Sequence, residues 1–320
     1  MNIDSIPFFL DYERLSHHKS MMSDRVRIED YRKAIEEVVT PGDVVVDLGA
    51  GTGILSFIAA KAGAKVVYAI ERTDMVHMAK KIAEDNLIHN IVFIQQDSGA
   101  VELPEKCDVL LSECLGYMVI QENMITDFFE FRDRWLKDGG SVIPLDAELF
   151  FAPIESERAY ESVSFWDEIL EYHGFDYKAL RGVAVNSASH EQLSFSEFLS
   201  VPQKKYFFDF RKDVSAAFLC ETSFDIERSG SLFGIGGYFT SRLSNSVVLD
   251  SSPNTKTHWR QHFFPLSRPT SVKKGDMINF RVEPVLQKAM VDWTWEIGIN
   301  GADFSRHDTR RGIRLKEQMK

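Results

Sequence analysis

The segment VVVDLGAGTGIL, residues 44–55, runs an apolar strand into an apolar helix through Gly49, Gly51 and Gly53. A strand that is apolar on both faces and passes straight into a helix is half of a parallel crossover unit. The unit repeats. ILSFIAAKAG, closed by Gly63, reads as a helix and KVVYAIE as a second strand. MVHMAKKIAEDN is a second helix, IVFIQQD a third strand and CDVLLSE a fourth. A helix over 122–137 carries Ile125, Phe128, Phe129 and Trp135, and SVIP ends the series at Pro144. Alternation of this kind specifies a parallel sheet covered by helices on both faces. Upstream, residues 22–39 repeat apolar positions at Ile28, Tyr31, Ile35 and Val38, an amphipathic helix that Pro41-Gly42 ends.

After Pro144 the texture changes to short β-rich runs separated by Gly, Asn, Ser and Pro: AELFFAPI, KYFFDF, SAAFLCETSFDI, LFGIGGYFTSRL, SVVLD, MINFRVEPVL and VDWTWEIGI. They predict an antiparallel β domain, a barrel or a sandwich. Residues 156–182 within it are helical in pattern and rich in aromatics, an insertion that projects from the β domain. The expected organisation is therefore N-terminal helices over 1–40, a Rossmann-like domain over 41–145, and a β domain over 146–320 that carries the helical arm.

The chain has 320 residues and a net charge of −11, which suits two packed lobes and argues against nucleic-acid binding, where a basic surface is needed. The charge is compatible with a cationic substrate, although an acidic surface is also a common device for solubility. Cys107, Cys114 and Cys220 form no close pair, so neither a disulfide framework nor a metal knuckle is expected. The opening MNIDSIPFFL lacks the basic start of a secretory signal, and no apolar run approaches a membrane span. A cytoplasmic address and no membrane partner are the expectation.

The glycine spacing is GxGxG, not the GxGxxG of dinucleotide folds. Asp47 stands two residues before the first glycine, where a carboxylate opposes a phosphate and welcomes an ammonium group. Glu71 ends the second strand, where an acid takes the two hydroxyls of a ribose. A ligand with a ribose, a positive amino group and no phosphate is S-adenosyl-L-methionine. The competing readings are a tight turn without ligand, and NAD.

SECLGYMVIQENM, residues 112–124, places Glu113 and Glu122 nine positions apart after the fourth strand. Ligands of open α/β sheets bind at that carboxyl edge. A guanidinium, planar and always charged, is the cation that paired carboxylates hold best. Taken alone, two isolated glutamates read more readily as a solvated acidic loop.

The motif resembles the double-glutamate loop of the protein arginine N-methyltransferases. NTKTHWRQHFFPL, residues 254–266, is similar to that family's Thr-His-Trp loop, as Thr257, His258 and Trp259. FFLDYERLSHHKSMMSDRVRIEDYRKAI resembles its leading helices, with Tyr12, His18, Met21, Asp24 and Arg27 at matching places, and VVVDLGAGTGILSFIAAKAG its cofactor motif. The match runs from about Phe8 to the C-terminal strands.

The resemblance implies a class I S-adenosylmethionine-dependent methyltransferase fold with a C-terminal β-barrel. It also implies roles. Arg27, joined by His18 and the backbone at Gly49, pairs with the cofactor's carboxylate, and Glu71 binds the ribose. Glu113 and Glu122 clamp the substrate guanidinium, with His258 and Asp24 as a proton outlet. Trp259 and Tyr12 form pocket walls, and Met21 controls how many methyls fit. Residues 156–182 become the arm of a homodimer, with Phe165, Trp166, Ile169, Leu170 and Phe175 as its exposed apolar patch. Three departures stand out: Phe8 replaces a common Tyr, Ser98-Gly99 stands where the family has an acid for the adenine, and Cys114 follows the first glutamate in place of a common Trp.

Two other substrates or roles stay open in the sequence. The chain starts almost at the first motif, which fits methylation of free arginine or another small guanidine. A non-catalytic partner subunit is the third reading, against which Glu113, Glu122, Gly49, Gly51 and His258 stand intact. Met21 and the Thr-His-Trp loop point towards the asymmetric dimethyl product without deciding it.

Overall fold

A computed structural model describes residues 15–113, 115–120, 124–212, 214–287, 291–302 and 305–310. Phe8, Tyr12, Cys114 and Glu122 lie outside the described residues. The chain starts with α1 (Leu15–Ser23) and α2 (Arg25–Val38). The single helix expected from residue 22 is instead divided at Asp24. Its side chain accepts the N–H of Arg27 at 3.0 Å and so caps α2, because a short acid favours an N-cap over a helix interior. Tyr31, Ala34 and Ile35 bury the inner face of α2.

The first sheet follows as β1 (Val44–Leu48), α3 (Ile54–Lys61), β2 (Val66–Ile70), α4 (Met75–Asp85), β3 (Ile91–Ile94), β4 (Cys107–Ser112), α5 (Met124–Trp135) and β5 (Leu136–Ile143). Its strand order is β3-β2-β1-β4-β5, with every pairing parallel. All five residues of β1 are buried, as a central strand covered on both faces must be. The order reverses between β1 and β4. Leu48 pairs with Ser112 across that point, so the glycine loop and Glu113 emerge side by side at the carboxyl edge, where open α/β sheets bind their ligands.

The second lobe comprises β6 (Asp146–Ile154), α6 (Glu157–His173), α7 (Lys178–Ala184), β7 (Ser189–Glu191), β8 (Gln203–Asp209), β9 (Cys220–Asp225), β10 (Gly230–Arg242), β11 (Val248–Asp250), β12 (Gln261–Val272), β13 (Met277–Leu286), β14 (Val291–Ile299) and β15 (Ser305–Asp308). Two antiparallel sheets result: β7-β12-β10-β6-β8 with β11 beside β10, and β15-β14-β13-β9. Phe151 and Phe264 of the first meet Phe280, Trp293 and Trp295 of the second, with ring centroids 5.4–5.8 Å apart. β12 is absent from the expected strand list because Pro265 and Pro269 break its pattern. Pro265 pairs with Gly234 at a register shift. A Cβ on Gly234 would lie 2.2 Å from the carbonyl of Phe264, so only glycine admits this bulge.

The arm is a helical hairpin. Ser156 caps α6, Gly174 ends it at φ +74, and Arg181 of α7 reaches back to Asp167 at 2.7 Å. One expectation needs correction: Ile169 is buried and Trp166 half-buried, because α7 folds back on α6. Phe165, Leu170 and Phe175 are exposed, together with Tyr172 and Tyr177. Side-chain hydrogen bonds join the lobes. Ser244 Oγ donates to Glu37 of α2 at 2.8 Å, and Arg132 of α5 donates to the carbonyl of Phe210 at 3.0 Å. Among the described residues no helix is long and apolar enough to cross a membrane.

Candidate active site

A pocket opens at the carboxyl ends of β1 and β4, with α1 and α2 over it and the Thr-His-Trp loop at its side. Its floor is the glycine loop. Gly49, Gly51 and Gly53 adopt φ of +82, +52 and +84, the left-handed region that side chains avoid. Gly53 begins α3, and a Cβ there would come within 2.8 Å of the Phe57 ring. The buried His18 from α1 lies over Gly51.

Three charged groups line the cofactor side. Asp47 is 1% exposed, and its carboxylate accepts Ser56 Oγ at 2.6 Å. Burial pushes its pKa up to about 7, against the Ser56 hydrogen bonds and with added repulsion from Glu71 and Glu113. Glu71 accepts the N–H of Gly51 at 2.9 Å, and the N–H and hydroxyl of Thr73 at 2.8 Å each. It thereby braces the loop while keeping acceptor capacity, since a carboxylate offers about four lone-pair sites. Arg27 donates to the carbonyl of Met21 at 2.9 Å, and its Nε is buried without a hydrogen-bond partner.

The Glu113 side chain is 9% exposed and ion-paired with Arg27. The resemblance gives Arg27 a ligand carboxylate as partner; in this structure its partner is the very glutamate assigned to the substrate. Asp24 reaches the other lobe: its Oδ2 accepts the N–H of His258 at 2.8 Å and faces His258 Nδ1 at 3.0 Å. Burial would raise the Asp24 carboxyl, but the hydrogen bonds from His258 and Arg27 outweigh it and hold it below its ordinary value. One carboxylate thus caps α2, fixes the Thr-His-Trp loop and leaves Nε2 of His258 unengaged by Asp24. Trp259 borders the pocket but is 2% exposed, and its indole N–H donates to the carbonyl of Leu115. It clamps the loop after β4 more than it offers a surface.

Met21 and Ser98 also border the pocket. The carbonyl of Ser98 accepts Arg134 at 2.8 Å. Sequence reasoning passed over Asp97 and Asp127, two further acids on the pocket wall. Asp97 precedes the Ser98-Gly99 departure by one residue and accepts the N–H of Gly99. Burial and the charge of Asp97 raise the Asp127 carboxyl. Tyr117 was missed as well, since it sits between the two glutamates of the motif and carries no charge.

The first lobe, with its pocket at the β1–β4 switch point, defines the methyltransferase class: a family profile for ribosomal protein L11 methyltransferase matches residues 32–144. A profile described as the arginine methyltransferase oligomerization subdomain matches residues 145–292. Probable protein arginine N-methyltransferase 6.1 of Oryza sativa subsp. japonica is 31% identical over 86% of this chain and 80% of its own. Protein arginine N-methyltransferase PRMT10 of Arabidopsis thaliana is also 31% identical, over 87% of this chain and 82% of its own. Among solved structures, Arabidopsis thaliana protein arginine methyltransferase 10, in an open conformation, superposes with a TM-score of 0.80 at 27% identity, covering 94% of this chain and 99% of that one. A chain of the Trypanosoma brucei PRMT1 enzyme–prozyme heterotetrameric complex with AdoHcy gives 0.84 at 25% identity, covering 93% and 98%. The chain belongs to the protein arginine N-methyltransferase family.

Proposed function

We propose that the chain transfers a methyl group from S-adenosyl-L-methionine to a guanidino nitrogen of arginine in proteins. The observation that carries the substrate is the Arg27–Glu113 pair: the carboxylate at the end of β4 already holds a guanidinium. The cofactor is supported by two imperfectly satisfied groups on one pocket, the buried Nε of Arg27 and the buried acid Asp47. A spare donor and an under-compensated acid together complement an amino acid in its zwitterionic form. Arg27 and His18 would hold its carboxylate, Asp47 would face its ammonium, and Glu71 would take the ribose. The bound cofactor supplies an electrophilic methyl group on a sulfonium.

The chain's own residues do the rest. The guanidinium is a poor nucleophile because its lone pairs are delocalised. Glu113, with Glu122 as second carboxylate, concentrates its positive charge away from one terminal nitrogen and aims that nitrogen. Positioning of two reactants supplies roughly 7–11 kcal/mol of a barrier. Arg27 engages Oε2 of Glu113 and leaves Oε1 to receive the substrate guanidinium, since a carboxylate offers about four lone-pair sites. His258, oriented by Asp24, takes the proton lost after transfer. The exposed aromatics of the arm would meet a second copy of the chain and form a homodimer, since an apolar patch of that size is unusual on a monomer. The profile match to an oligomerization subdomain supports this.

Labelled cofactor, offered with an arginine-rich peptide, its lysine counterpart or free arginine, tests the reading. Transfer to the arginine peptide alone is expected. Transfer only to free arginine would move the function to small guanidines, and cofactor binding without any transfer would mark a partner subunit.

A further inference from the structure

Tyr117 borders the pocket from the loop that follows Glu113. That loop is strained: Met118 and Val119 adopt φ of +51 and +73. Positive φ is costly for a non-glycine residue and most of all for a β-branched one. Such a shape persists only where surrounding contacts over-determine it. The indole of Trp259 on the Leu115 carbonyl is one such contact. The other is a ring stack. Tyr117 lies on His190 of β7 with centroids 3.5 Å apart and planes 16° apart.

His190 is itself backed. It pairs in register with His262 of β12, whose ring meets it at 4.8 Å and 63°. His262 packs in turn on Phe264 and Trp293, at 4.8 and 5.6 Å. A column of rings therefore runs from the pocket wall into the core of the β domain. His262 is buried, and neither of its ring nitrogens has a hydrogen-bond partner, so it serves there as a flat uncharged ring. Arg260 acts on His190, and His190 in turn on His262. Burial pushes His190 down to about 4 and holds His262 well below its ordinary value. At neutral pH the column carries no charge.

We infer that His190 is a positioning residue for the methylation proposed above: acting through Tyr117, it fixes the pocket wall against which the substrate arginine lies. The inference rests on that reading of the function. It locates part of substrate recognition in the β domain, 73 residues beyond Tyr117 in sequence.

The full chain with His190→Ala, His190→Phe, Tyr117→Ala and the Ala–Ala double variant tests it. A stacked ring pair is worth about a factor of three to ten in binding. His190→Ala is expected to raise KM for an arginine-rich peptide by about that factor, with kcat and affinity for the demethylated cofactor unchanged. His190→Phe keeps a flat ring and should restore the parent KM. The double variant should lose no more than Tyr117→Ala alone, because coupled residues are not additive. Peptide affinity in the presence of demethylated cofactor reads the same wall without turnover, so a chain that binds but does not transfer refutes the activity and still tests the wall. Additive losses, or a His190→Phe variant as impaired as His190→Ala, would overturn the inference.

Discussion

Replacing Asp47 by Asn isolates one buried charge. The carboxyl is fully enclosed, holds Ser56 and has its pKa raised by burial from 3.8 to about 7. An acid whose folded pKa lies above its unfolded value keeps a proton that the unfolded chain gives up. Stability is therefore lost as pH rises between those two values, and by pH 8 the loss is roughly 4 kcal/mol. At pH 5 only about 1.5 kcal/mol of that loss has developed. Asn cannot ionise and still accepts the Ser56 hydroxyl. The variant should be more stable than the parent at both pH values, with a gain larger at pH 8 by about 2.5 kcal/mol. Denaturant unfolding without ligand, at pH 5 and pH 8, measures the difference. Calorimetry with the demethylated cofactor should meanwhile show weaker binding, since the ammonium loses its counter-charge. An equal gain at both pH values would refute the reasoning, and a loss at pH 8 would refute it more strongly.

Glu113→Gln keeps the shape but removes the charge, so turnover should fall by about 10²-fold or more. The same change strands buried Arg27, and a melt should show the loss of stability that follows when one partner of a buried pair goes. The intact chain should sediment as a dimer at micromolar concentration, and deletion of 160–180 should leave monomers of weaker activity. Acid should destabilise the fold before the carboxylates titrate. His190 has a folded pKa of about 4 against an ordinary 6.5, so the unfolded chain takes up a proton that the folded one refuses. Stability drops as pH falls from 6.5 towards 4, by roughly 3 kcal/mol from this residue, and His190→Phe should flatten that limb of a stability–pH curve.

Much of the first lobe was legible from the chain alone. Apolar strands, amphipathic helices and the glycines between them are local requirements of backbone and burial, so β1 to β4 and the loop at Gly49–Gly53 could be read in order. Asp47, Glu71 and Glu113 were legible because each sits at a strand end. What the tertiary structure decided is who meets whom. Asp24 caps α2, as its neighbours suggest, yet its second oxygen is taken by His258, 234 residues away. Arg27 sits on Glu113, and a pair 86 residues apart leaves no trace in spacing. β12 was hidden because its prolines violate the strand pattern, and only the bulge opposite Gly234 makes room for one of them. Asp97 and Asp127 carry no motif of their own, and Tyr117 is an uncharged residue inside one; the strand order brings all three to one pocket. Nothing in the sequence links His190 to His262, and antiparallel register alone brings them together beneath Tyr117. Periodicity reports which face of an element is buried, while partners across elements depend on register and on how two lobes dock, and those are properties of the whole chain.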